Sequence, residues 1–169
     1  MIAHERTTIR SIVPVREVIP VKARDLMTPR PFVVLPTDNV TRAAEIMRYE
    51  KIGGVPVVSD PAQPRLAGII TDRDIVIRCV ARGLHLPCLV SDIMTPMPLL
   101  TVRPDAEISE IVGKMETGEV RRIPVVSDDG ILMGIVAEAD IATKLSPAAA
   151  LPLRKRVQQY SAEPHVRDG

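Results

Sequence analysis

The chain has 169 residues, 46% of them apolar and 2% aromatic, with a formal charge of +1. That apolar share is enough for one compact domain or two small ones sharing a core, and it excludes disorder of the whole chain; so few aromatic rings leave almost no base-stacking platform. Arg6, Arg10, Arg16 and Lys22 against Glu5 and Glu17 put +2 on residues 1–22, and Arg154, Lys155, Arg156 and Arg167 against Glu163 and Asp168 put +2 on residues 151–169. The part between therefore carries −3, so a folded body that grips nucleic acid through clustered basic side chains is not expected.

Residues 1–22 read as an N-terminal extension. His4, Glu5 and Arg6 precede scattered prolines, so the apolar block of a signal peptide is missing, and no apolar run reaches the roughly 20 residues that span a bilayer. A cytoplasmic protein is expected. "SIVPVREVIPV" alternates enough for an added edge strand, although Pro14 and Pro20 restrict its pairing. After "DLMTP" at Asp25–Pro29 comes the β-branched run "FVVL", then a helix with Val40, Ala44 and Met47 on its core face. "VPVVS" and "LAGII" read as two strands joined by a loop, followed by a helix "DRDIVIRCVARG" that ends at Gly83. Cys79 in that helix is expected to be a small buried thiol. Cys88, after Pro87 in the connector 85–91, is expected to be exposed, with a disulfide or redox role for the pair as the lesser expectation.

The same phrases then return. "DIMTP" at Asp92–Pro96, the run "LLTV", a helix with Ile108, Ile111, Val112 and Met115 on its core face, "RIPVVSD" against "GVPVVSD", and "LMGIVAEADI" against "LAGIITDRDI" form a second copy. "SDDG" offers it a hairpin turn, and its last helix, "EADIATKL", stops before Pro147. Each copy predicts the order strand, helix, strand, strand, helix over about sixty residues, which is marginal for a core of its own. Two copies packed about an approximate two-fold axis, with two equivalent clefts, are expected. The predicted division is an extension 1–22, a first repeat 23–84, a linker 85–91, a second repeat 92–147 and a tail 148–169 whose "AAALPLRKRVQQY" suits a short helix. Either extension suits a dimer arm, a docking segment or a disordered end.

The paired "DLMTP" and "DIMTP", the paired "GGVPVV" and "RRIPVV", and the Gly-x-x-Thr-x-x-Asp phrase at Gly68, Thr71 and Asp74 resemble tandem CBS domains of the stand-alone bacterial kind. That resemblance implies an α+β fold of two repeats and a regulatory module that binds AMP, ADP, ATP or a related adenosyl compound. The module so implied senses energy charge; with no catalytic constellation and no metal-ligand spacing in the sequence, no catalysis and no metal or other cofactor are expected, while a homodimer formed through helices left apolar at the surface and an effector protein that reads the signal are expected. Carried over by position, the resemblance gives the first cleft Thr71 against phosphate, Asp74 against ribose, and Arg121, Arg122 and Ile123 of the other repeat, with Thr95 nearby. The second cleft takes Asp140 with Gly53, Gly54 and Val55, and Thr28 nearby.

Thr71 and Asp74 equally form a capping box, worth about 1 kcal/mol, with no ligand involved. The two roles do not exclude each other. Position 73 is Arg in the first copy and Ala139 in the second; Thr71 matches Ala137, and Arg121 and Arg122 match Gly53 and Gly54. Under the cross-repeat pairing these changes agree: one cleft collects Thr71, Arg73, Asp74, Arg121 and Arg122 for a phosphorylated ligand, and its twin is stripped. The competing account makes the arginines solvated surface, or partners of Glu116, Glu119 or Asp129. His4, His85 and His165 stand apart from any metal-ligand spacing, and Met27, Met94 and Met97 suit core filling. Two other functions stay open: a ligand-free structural or interaction protein, and a nucleic-acid binder using the basic ends.

Overall fold

The computed structural model describes residues 21–84 and 87–144; the expected N-terminal edge strand and C-terminal helix lie outside them. Each copy opens on a one-turn helix, α1 (Ala23–Leu26) and α4 (Val90–Ile93). The carboxylate of the repeated motif explains both. Asp25 Oδ2 accepts the Lys22 N–H at 2.9 Å and Asp92 Oδ2 accepts the Leu89 N–H at 3.0 Å, satisfying a donor that the start of a helix leaves free.

Two-residue strands follow, β1 (Thr28–Pro29) and β4 (Thr95–Pro96), then the longer helices α2 (Val40–Glu50) and α5 (Ile108–Thr117). Ile111, Val112 and Met115 are buried on α5 as expected, with Ile108 packed at the edge. On α2 the buried residues are Val40, Ala43 and Met47. Ala43 takes the central place expected of Ala44.

The hairpins are β2 (Gly54–Val58) with β3 (Leu66–Thr71), and β5 (Arg122–Val126) with β6 (Leu132–Ala137). "FVVL" and "LLTV" do not become full strands. Each makes a single parallel bridge, Val34 to Val57 and Val102 to Val125. The hairpin prolines account for this: Pro56 and Pro124 accept from the Val34 and Val102 N–H groups at 3.2 and 3.1 Å but have no N–H to return.

The sheet orders are β1-β6-β5 and β2-β3-β4. Each repeat has therefore lent its opening segment to the other: Thr28 lies opposite Ile135 and Pro29 opposite Gly134, while Thr95 lies opposite Ile69 and Pro96 opposite Gly68. The cores follow the same exchange. Ala23 and Leu26 are buried with Val102, Ile111, Ile123, Val136 and Ile141, and Val90 and Ile93 with Val34, Val40, Val57 and Ile70. A third cluster, Val58, Leu66, Val126 and Leu132, joins the two hairpins near their loops, where the Leu66 N–H reaches Gly130 O at 3.1 Å and the Leu132 N–H reaches Pro64 O at 2.8 Å.

Gly68 and Gly134 make the exchange possible. A Cβ at Gly68 would lie 2.7 Å from the Thr95 carbonyl oxygen and 3.0 Å from the Met94 sulfur; at Gly134 it would meet Met27 Sδ at 2.5 Å and Thr28 O at 2.9 Å. Since the backbone of β4 cannot retreat without losing its pairing, Gly68→Ala is expected to cost about 1–3 kcal/mol, read from urea unfolding. A loss under about 0.5 kcal/mol would mean that the strand is free to shift.

The last helix of each copy is α3 (Asp72–Asp74), running on as a π-helix over Ile75–Val80, and α6 (Glu138–Lys144). The wide π turns close with bonds from Ala81 N–H to Val76 O at 2.8 Å and from Leu84 N–H to Cys79 O at 3.1 Å. Gly83, at φ +66°, ends this segment in the left-handed conformation expected of a terminating glycine. Val76, Ile77 and Val80 stay exposed.

Cys79 is buried as expected, but Cys88 is buried too. Its carbonyl accepts the Val40 N–H, and the Val90 N–H reaches Asp38 O, each at 2.9 Å. These bonds draw the connector onto α2 and turn Cys88 inward, where its sulfur lies 3.0 Å from that of Cys79. Burial, then the hydrogen bond and charge of Cys79, push the Cys88 thiol up to about 11, so it stays protonated at neutral pH.

Candidate functional site

The junction between β3 and α3 carries the residues that the sequence marks most strongly. Asp74 Oδ2 accepts the Thr71 N–H at 2.9 Å and the Thr71 hydroxyl at 2.6 Å, while the Asp74 N–H donates to Thr71 Oγ1 at 3.2 Å. The capping box is thus fully formed. In the second copy only half survives, with the Ala137 N–H donating to Asp140 Oδ2 at 2.9 Å.

Capping leaves Asp74 Oδ1 facing Arg78 Nη2 at 3.4 Å. From there Arg78 Nη1 donates to Ile93 O at 2.9 Å, Met94 O at 3.1 Å and Thr95 Oγ1 at 3.2 Å. Arg78 therefore ties Asp74 to Thr95, two site residues drawn from different copies. Lys144 is its counterpart, pairing with Asp140 Oδ1 at 3.5 Å and donating to Leu26 O at 2.6 Å. Sequence reasoning missed both; the signal was an acid followed four residues later by a base, at Asp74 and Arg78 and again at Asp140 and Lys144. Arg78→Met is expected to cost about 1–3 kcal/mol by leaving part-buried carbonyls without a donor. Thermal unfolding measures this, and an unchanged midpoint would show that water replaces the guanidinium at no cost.

Arg122, half-buried, lies across the other repeat. A Cβ at Gly53 would come within 2.6 Å of Arg122 Nη2 and 2.9 Å of Asp72 Oδ2. At Gly54 it would come within 3.2 Å of Arg122 Cδ and 3.4 Å of Thr71 Cγ2. The two glycines, expected from sequence to belong to the second cleft, leave the space on which Arg122, Thr71 and Asp72 converge. Asp72, absent from the expected set, is placed there by the bond from its N–H to Gly53 O at 3.3 Å. Among the described residues no hydrogen bond or ion pair holds the Arg122 guanidinium.

The remaining expected residues are spread more widely. Arg121 turns toward its own repeat, with Nε 3.7 Å from Glu138 Oε2. Arg73 is exposed beside the Thr71–Asp74 box. Ile123 and Val55 are buried in the two cores, with none of either residue's surface exposed. Thr28 is exposed on β1, and Asp140 lies at the start of α6. Thr71, Asp74, Arg78 and Thr95 thus form one hydrogen-bonded group at the junction of the repeats, with Arg122 near Thr71 over Gly53 and Gly54.

The two copies that exchange their opening segments match the CBS domain, over residues 23–80 and 90–147. The chain is a CBS-domain protein. Hypoxic response protein 1 of Mycobacterium tuberculosis is 38% identical over 135 residues, which cover 80% of this chain and 92% of that protein. Its crystal structure, described with two coordinated zinc ions, superposes with a TM-score of 0.66 at 39% identity, covering 75% of this chain and all of that one. CBSX2 of Arabidopsis thaliana, in complex with AMP, is 30% identical with a TM-score of 0.62 and coverage of 79% and 98%. The CBS pair of MJ0100, in complex with 5′-methylthioadenosine and S-adenosyl-L-methionine, is 27% identical with a TM-score of 0.65 and coverage of 73% and 94%. In this CBS pair, no group of three His, Cys, Asp or Glu among the described residues is placed to hold a metal ion, and the three histidines lie outside them. No helix of the described residues is long and apolar enough to cross a membrane.

Proposed function

We propose that this CBS pair is a regulatory sensor that binds one adenine nucleotide, or a related adenosyl compound, at the junction built from Thr71, Asp74, Thr95 and Arg122. The bound state is passed to a partner protein in the cytoplasm, and no reaction is catalysed. Arg122 carries this reading: a guanidinium from the second repeat, laid over a glycine floor beside Thr71 of the first, with no ion partner among the described residues. A planar fork of donors so placed suits a phosphate, which it grips through two oxygens. Thr71 adds a hydroxyl and Arg73 a second charge at the rim. Asp74 keeps lone pairs for a ribose hydroxyl beyond those used in the cap. The AMP-bound CBSX2 and the adenosyl-bound MJ0100 pair support the ligand class.

The mechanism follows from the site's two origins. A ligand touching Thr71 and Asp74 of one repeat and Arg122 of the other binds best in one setting of the repeats and shifts the population toward it. The exposed Val76, Ile77 and Val80 on the π-helix, with Tyr49 on α2, suit the homodimer through which that setting is presented.

Calorimetric titration of the full chain with AMP, ADP, ATP and S-adenosylmethionine tests the reading. One site per chain is expected for at least one of them. No heat at any of several temperatures, together with no ligand-induced rise in melting temperature, would leave Thr71 and Asp74 as a capping box in a structural or interaction protein.

A further inference from the structure

Cys79 and Cys88 are the only cysteines of the chain, and the function proposed above uses neither. Both are almost fully buried, with 2% and 6% of their surface exposed, in the core of α2, β2 and β3. Their sulfurs are 3.0 Å apart, inside ordinary van der Waals contact and about 1 Å longer than a disulfide bond. Two thiols buried face to face, from segments nine positions apart, have the proximity of a bonded pair without the bond.

We infer that Cys79 and Cys88 are an oxidisable dithiol, a modification site at which a small peroxide makes an intrachain disulfide that staples the π-helix to the connector between the repeats. The chemistry balances with hydrogen peroxide alone. The Cys79 sulfur, as thiolate, attacks a peroxide oxygen; the O–O bond breaks, the leaving hydroxide takes up the released proton, and a sulfenic acid and one water result, with Cys88 the protonated partner of the next step. The second sulfur attacks that sulfenic sulfur, its proton leaves with the departing hydroxide as a second water, and the S–S bond forms. The two sulfurs are oxidised by two electrons in all, and the peroxide is reduced. A small neutral oxidant suits a buried pair that a bulky disulfide cannot reach.

The position of the staple gives it a consequence. Cys79 follows Arg78, whose guanidinium holds Ile93 O, Met94 O and Thr95 Oγ1. Cys88 precedes α4, which leads to those same acceptors. The disulfide would add a covalent link next to contacts that are otherwise polar, restraining the approach of β4 to β3.

The test uses the full-length reduced chain and millimolar hydrogen peroxide, with thiols blocked by iodoacetamide after unfolding. Peptide mapping is expected to show a Cys79–Cys88 cross-link in monomeric chains 2 Da lighter than the reduced protein. Hydrogen exchange over residues 88–95 is expected to slow at least several-fold, and dithiothreitol to reverse both changes. Cys88→Ser, which keeps Cys79 in place, should show no mass loss and no slowing. Two alkylatable thiols after exposure, sulfinic acids, or a cross-link only between chains would overturn the inference. So would a disulfide that leaves exchange at 88–95 unchanged, since the staple would then hold nothing. None of these outcomes depends on nucleotide binding.

Discussion

Arg122→Ala is expected to weaken the binding of whichever nucleotide titrates the protein by about 10- to 100-fold, because a charge-assisted hydrogen bond to phosphate contributes about 1.5–3 kcal/mol. The folded protein should tolerate the change. Arg122 is half-buried, and no hydrogen bond or ion pair holds its guanidinium among the described residues. Arg122→Lys separates charge from shape: an ammonium keeps the attraction but loses the planar fork, so an intermediate affinity is expected. The control is Arg121→Ala. Its guanidinium faces Glu138 at 3.7 Å on the exposed side of its own repeat, so a loss of no more than about threefold is expected for an exposed pair. Isothermal titration of the three variants decides the matter. Equal affinity in Arg122→Ala and the parent chain would remove Arg122 from the site, and with it the observation on which the sensor reading rests.

Leu26→Ala should cost about 2–5 kcal/mol, a large part of the 5–15 kcal/mol that holds an ordinary domain together. Leu26 belongs by sequence to the first repeat, yet it is 1% exposed in a core built with Val102, Ile111, Ile123 and Ile141 of the second. The location of the damage is therefore as informative as its size. Native-state hydrogen exchange in Leu26→Ala is expected to accelerate first in β5 and β6, while β2 and β3 keep more of their protection. Ile93→Ala, the counterpart in the other core, should reverse that order. Faster exchange confined to β2 and β3 in Leu26→Ala would mean that the repeats are packed as they are written, without exchange.

These variants mark the boundary between what residues declare along the chain and what they declare only in contact. The helix faces of α2 and α5 were legible because a 3.6-residue period needs only neighbours; even so, Ala43 displaced Ala44, since alanines on either side of the stripe satisfy the period equally. The capping box was legible for the same reason, as its bonds close within three residues. Cys88 was not. Its burial depends on bonds that draw the connector onto α2, at Val40 and Asp38, which nothing in "LPCLV" announces. The pairing of Asp74 with Arg78 was written at helical spacing, but the acceptors that give Arg78 its use, Ile93 O, Met94 O and Thr95 Oγ1, lie about fifteen positions away.

By itself the sequence determined that the protein is a duplication, that each copy alternates short strands and helices, and that Thr71 and Asp74 cap a helix the second copy caps less well. Those properties rest on local periodicity and on comparing one half of the chain with the other. Only the tertiary structure decided which copy's opening strand completes which sheet, why positions 53, 54, 68 and 134 are glycine, and which of two adjacent arginines crosses to the other repeat. Each of these depends on distances between segments far apart in the chain. A glycine's missing Cβ signifies something only when the atom that takes its place is known, and here those atoms belong to Arg122, Thr95 and Met27.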